Sequence, residues 1–117
     1  MSDISRSFQM IGDVPVVTAP AEIDAATADQ LRMVLLRAAA DGHATVVVDM
    51  TGTKFCDSAG LGVLVRTHKR ALEGGGELRL VIPADGAVFR VLTLTEVYRF
   101  IPRFDSLQEA LLQRPQP

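Results

Sequence analysis

The hydrophobic period of this chain changes across Asp57-Ser58, and that change limits the fold more than anything else in the sequence. Val46-Val47-Val48 is an apolar run of the buried type. After Thr51-Gly52-Thr53-Lys54-Phe55-Cys56, the residues Leu61, Leu64, Val65, His68 and Leu72 recur at helical spacing. A strand therefore leads through a short loop into a helix, with Asp57-Ser58 at its mouth. Backbone N–H groups there lack partners and the helix dipole is positive. Ser58 is expected to be exposed, held by rigid elements on both sides, and able to carry a phosphate.

The rest of the chain alternates in the same way. Phe8 to Ile11 and Val14 to Thr18 read as short strands joined by Gly12-Asp13. Pro15 argues that the second strand begins late or lies at an edge. Pro20 to Ala26 reads as a loop carrying Glu22 and Asp24. Thr27-Ala28-Asp29-Gln30 has the form of a capping box. Leu31, Val34, Leu35 and Ala38 form the apolar stripe of a first helix, which Asp41-Gly42 ends.

A central strand covers about Thr45 to Met50, and Gly74-Gly75-Gly76 stops the helix that begins at Asp57-Ser58. Glu77 to Ile82 reads as a strand closed by Pro83. A third helix covers about Ala84 to Leu92, and a short strand near Arg99 to Ile101 ends at Pro102. Ser106-Leu107-Gln108-Glu109 is a second capping box, opening a final helix to about Leu112. The tail 114–117 is expected to be disordered. The order β-β-α-β-α-β-α-β-α predicts a single α/β domain with a mixed sheet of four to five strands and helices packed on it.

With 117 residues, 48% of them hydrophobic, the chain can bury a core, and five Phe, one Tyr and no Trp make that core mostly aliphatic. The formal net charge is −2. Arg66, Lys69 and Arg70 are the densest basic group and read as the solvated face of a helix, so nucleic acid is not expected as a partner. The single cysteine, Cys56, excludes an internal disulfide and fits a reducing compartment. No apolar stretch approaches the roughly 18 residues that span a membrane, and the first residues lack a secretory pattern. A cytoplasmic protein is the expectation.

Candidate chemistry narrows quickly. A hydrolase serine sits in a Gly-x-Ser-x-Gly elbow, whereas Ser58 is flanked by Cys56 and Gly60. The only histidines are His43, in the turn after the first helix, and His68, about 15 Å along the axis from Ser58 by helix rise. Neither is placed to activate the serine. Gly60-Leu61-Gly62 lacks the third glycine of a dinucleotide loop. One Cys and two separated His make no metal set. On the residues alone, two readings of Asp57-Ser58 stay level: a helix cap with no further role, and a modification site.

Phe55-Cys56-Asp57-Ser58-Ala59-Gly60-Leu61-Gly62-Val63-Leu64 closely resembles the signature of STAS domains of the anti-sigma factor antagonist class. The form there is an aromatic, a hydrophobic residue, then Asp-Ser-Ser/Ala-Gly-Leu-Gly. Ala21-Glu22-Ile23-Asp24 with Thr27-Ala28 resembles the Gly-Glu-Leu-Asp loop of that family, with Ala21 in place of the usual Gly. Gly75-Gly76-Glu77-Leu78 resembles the family's approach to a strand. Val88-Phe89-Arg90-Val91-Leu92 with Leu94-Thr95-Glu96-Val97 resembles its helix and following turn. The likeness runs in order over about residues 8 to 113.

The resemblance implies a binding module and not an enzyme. A serine corresponding to Ser58 is phosphorylated in that class by an anti-sigma factor that is also an ATP-dependent serine kinase. The unphosphorylated form binds the anti-sigma factor and frees a sigma factor, and a PP2C-type phosphatase resets the switch. ATP belongs to the kinase, so no cofactor is assigned to this chain. The partner-binding set implied is Glu22, Asp24, Asp57, Ser58, Ala59, Gly60 and Gly62, in a monomer or weak dimer. The alternative is a scaffold that assembles with other STAS proteins and in which Ser58 is never modified.

Overall fold

A computed structural model describes residues 8–39, 45–95 and 99–112. Strands β1 (Phe8–Ile11) and β2 (Val14–Thr18) form a hairpin, and β3 (Glu22–Ile23) leads into helix α1 (Ala25–Ala39). Strand β4 (Thr45–Asp49), strand β5 (Phe55–Cys56) and helix α2 (Ser58–Glu73) follow. Then come β6 (Glu77–Val81), α3 (Ala87–Thr95), β7 (Arg103–Phe104) and α4 (Leu107–Leu112). Five strands form one sheet in the order β1-β2-β4-β6-β7. The β1–β2 pair is antiparallel and the other pairs are parallel, so the sheet is mixed.

Central strand β4 carries the apolar run Val46-Val47-Val48, as suits a strand whose two faces are both covered. Side chains alternate across a strand. Val46 and Val48 enter a large core with Leu35 of α1, Leu64 of α2 and Leu92 of α3. Val47 points the other way, into a small core with Val16, Val81 and Ala110 of α4. Burying one such side chain contributes about 1.5–3 kcal/mol. On the α4 side, buried Arg79 is satisfied by Glu77 at 2.6 Å and by the Ala110 carbonyl at 2.5 Å.

Several expected boundaries shift for identifiable reasons. Of the two alternatives raised by Pro15, the edge position does not hold, since β2 sits between β1 and β4, but the strand does join β4 late. Its parallel ladder to β4 starts only at Val16, so the missing proline N–H falls outside that ladder. Helix α1 is capped by Asp24 and not by Thr27. Helix α3 starts at Ala87, after a turn closed by Gly86 N–H to the Pro83 carbonyl. The strand expected at Arg99 to Ile101 forms instead at Arg103–Phe104, past Pro102, where it pairs with Leu80 and Val81. Leu72 is 55% exposed, and Val63 is buried in its place among the apolar residues of α2.

The final capping box forms, with Glu109 N–H donating to Ser106 Oγ at 3.2 Å. The expectations for Asp41-Gly42, His43, Glu96-Val97 and the tail 114–117 fall outside the described residues. Among the described residues no helix is long and apolar enough to cross a membrane.

Candidate functional site

The site is assembled where two short segments meet beyond the ends of β2 and β4. Asp49 closes β4 by accepting from the N–H of Thr51 at 3.0 Å. The chain then turns toward the segment after β2. Thr53 Oγ1 donates to the Pro20 carbonyl at 2.9 Å, and the N–H groups of Lys54 and Phe55 both donate to the Ala21 carbonyl. These bonds bring β5 beside β3 as a parallel two-residue ladder, with Glu22 opposite Phe55 and Ile23 opposite Cys56. The next step in that register places Asp24 alongside Asp57, and Asp57 N–H donates to the Ile23 carbonyl at 3.0 Å.

Both aspartates cap helices. Asp57 adopts an extended backbone, and its Oδ1 accepts from Gly60 N–H at 3.1 Å at the start of α2. Asp24 Oδ1 accepts from the N–H groups of Ala26 and Thr27, each at 3.0 Å, and Asp24 N–H donates to Thr27 Oγ1 at 2.9 Å. This reciprocal pair reverses the expected roles: Thr27 answers the cap and Asp24 is the cap. The Thr27 N–H, with the Thr27 hydroxyl and the Ala26 N–H, holds the Asp24 carboxyl below its ordinary range, against partial desolvation.

Asp57 takes the capping role and leaves Ser58 as the first residue of α2, exposed to solvent. Ala59 is half-buried beside it, and Gly60 is buried. A Cβ on Gly60 would lie 2.5 Å from Ile23 Cγ2 and 2.8 Å from Cys56 Sγ, so the first turn of α2 lies directly on the β3–β5 ladder. Gly62 has a different neighbourhood: a Cβ there would meet only the side chain of Arg66.

Burial, with Asp57 adding to it, pushes the Cys56 thiol up to about 11. It packs as a small apolar residue. His68 is buried ten residues beyond Ser58, and its Nδ1 accepts from Leu78 N–H at 3.1 Å. It ties α2 to β6 and is committed there.

Between α1 and α2 lies a groove of about 220 Å³, lined by Asp29, Arg32, Ser58, Gly62 and Arg66 among others. The sequence reading placed Arg66 on a merely solvated face and did not single out Arg32. The available signal was the spacing of Ser58, Gly62 and Arg66, four residues apart along one face of a helix. A larger cleft of about 440 Å³, lined by Phe8, Thr18 and Gln30 among others, lies between the hairpin and α1 and does not include Ser58.

Comparison with known proteins identifies the fold and the family. A family model described as the STAS domain matches residues 6–110. The Paenibacillus polymyxa anti-sigma F factor antagonist is 29% identical over 101 residues, covering 86% of each chain. The crystal structure of an anti-sigma factor antagonist from Mycobacterium paratuberculosis superposes with a TM-score of 0.80 at 28% identity, over 89% of this chain and 87% of that one. The Bacillus cell fate determinant SpoIIAA has been solved in unphosphorylated and phosphorylated forms, both 20% identical to this chain, with TM-scores of 0.73 and 0.62. Each covers 89% of this chain, and the match spans 90% and 94% of the respective SpoIIAA chains. At that identity the likeness is one of fold.

Proposed function

Since this chain belongs to the STAS domain family, we propose that it is an anti-sigma factor antagonist whose docking face is switched by phosphorylation of Ser58. The observation that carries the reading is the separation of two roles at the mouth of α2. Asp57 satisfies the helix, and the Ser58 hydroxyl stays exposed on a rigid support. The names of the Paenibacillus and Mycobacterium relatives, and the existence of SpoIIAA in a phosphorylated form, support it.

In the unphosphorylated state the face carrying Glu22, Asp24, Asp57, Ser58, Ala59 and Gly62 docks on an anti-sigma factor and displaces its sigma factor, while Gly60, buried against Ile23 and Cys56, acts from beneath by setting the height of that face. That partner is also the serine kinase and brings its own ATP; a PP2C-type phosphatase restores the free hydroxyl. A phosphate adds about −1.5 to −2 charges beside Asp57 and the Glu22 segment. Its own helix tolerates the charge, because helix N-termini favour anions. The docked partner does not: crowded like charges cost several kcal/mol. A cost of about 3–4 kcal/mol lowers affinity by two to three decades. No refolding is needed.

The test uses an anti-sigma factor kinase from the same genome. Incubation with ATP, read by intact mass, gains one phosphate on the wild type and none on Ser58→Ala. Calorimetry with the same partner then shows the phosphoprotein binding at least a hundredfold more weakly, at about 1.4 kcal/mol per tenfold. No phosphate gain, with assembly onto other STAS proteins intact, replaces the switch by the scaffold reading. A fluorophosphonate probe leaves Ser58 unlabelled.

A further inference from the structure

Arg66 lies on the same helical row as Ser58, with Gly62 between them. Residues four apart on a helix have Cβ atoms about 5–6 Å apart. Gly62 has no side chain to fill that interval, and the Arg66 guanidinium lies over it: a Cβ at Gly62 would be 3.1 Å from Arg66 Nη1. The guanidinium is thus drawn back along α2 toward Ser58, and both residues line the groove between α1 and α2.

The other charges of the groove are already engaged. Arg32 pairs with Asp29 at 2.8 Å, while Arg66 has no carboxylate partner among the described residues. The nearby Asp57 carboxylate is turned to Gly60 N–H. An arginine fork matches phosphate oxygens geometrically, with two parallel N–H donors.

We propose that Arg66 is an intramolecular latch for a phosphate on Ser58, closing across the gap left by Gly62. The proposal deepens the phosphoserine reading above and rests on it. The latch gives the switch a second component. Modification adds negative charge and also withdraws a cation from the surface that a partner meets. Anything that removes the phosphate must first displace Arg66.

The test installs phosphoserine at position 58 during translation, so it needs neither kinase nor partner. Phosphorus NMR then follows the second ionisation of the phosphate, ordinarily near 6. In the wild type this pKa lies lower than in Arg66→Gln by about half a unit or more, because a neighbouring cation favours the dianion. Arg66→Lys recovers part of the shift. Gly62→Ala, whose Cβ crowds the guanidinium, reduces the shift while leaving the arginine in place. A phosphate that titrates alike in the wild type and Arg66→Gln overturns the latch. Failure of the phosphorylation reading shows separately, in the mass measurement with kinase and ATP.

Discussion

Ile23 Cγ2 lies where it would be only 2.5 Å from a Cβ on Gly60. No side chain larger than hydrogen fits between the first turn of α2 and β3. The contact therefore fixes the depth at which α2 enters and the height at which Ser58 stands.

Gly60→Ala sets two effects against each other. Alanine gains about 1 kcal/mol of helix propensity over glycine. Forcing a methyl into a filled space costs about 1–3 kcal/mol, and here it meets a buried, branched side chain and a buried thiol. Strain is expected to win, because both contacts are with buried groups, with a net loss of up to about 2 kcal/mol in urea unfolding. A variant as stable as wild type would mean that α2 can lift off the ladder.

The roles of Asp57 and Ser58 separate by substitution. Asp57→Ala removes the acceptor for Gly60 N–H and should cost about 0.5–2 kcal/mol, while Asp57→Asn retains most of the cap. Ser58→Ala changes an exposed residue outside the cap and should stay within about 0.5 kcal/mol of wild type. Denaturant midpoints of the three variants check the order.

His68 makes stability fall in mild acid. Burial lowers its pKa from 6.5, against smaller upward pulls from the Phe100 backbone and Glu77. The folded state therefore prefers neutral imidazole, whose Nδ1 accepts from Leu78 N–H. Below 6.5 the unfolded chain binds the proton more readily, so the stabilisation is fully present above that value and is lost as pH falls from it toward the lower folded value. His68→Asn keeps an acceptor without titrating near neutrality. Unfolding free energies measured from about pH 7 to pH 5 should slope less steeply in His68→Asn than in the wild type.

Cys56 should be inert in the native protein. With its pKa pushed up to about 11, only about one thiol in a thousand is ionised at pH 8 before access is considered. Ellman's reagent should label it at the rate of global unfolding, rising steeply with denaturant.

The large elements were legible because each carries its own period. The Val46-Val47-Val48 run, the stripe of Leu31, Val34, Leu35 and Ala38, and the glycines after Glu73 all mark structure through near neighbours in sequence. Strands β3 and β5 carry no such mark. Two residues cannot show an alternation, and each becomes a strand only because the other lies beside it. The same limit explains Asp24. Its role depends on where α1 begins, and β3 sets that point three residues before the Thr27 capping box suggests. The Arg66–Gly62 approach was equally hidden, since a charged residue on an exposed face reads as solvation until the groove beside it is seen.

The β3–β5 ladder also means that the neighbourhood of Ser58 is discontinuous in the chain. Thr53 reaches Pro20 across 33 residues to hold it together. A synthetic peptide carrying residues 52–64 would contain every letter of the motif and none of its shape, lacking Glu22, Ile23 and the Asp24 cap. Whatever recognises this serine together with its surroundings recognises a conformational epitope. Under the proposed function, recognition of Ser58 is therefore also a check that the β3 and β5 segments have come together.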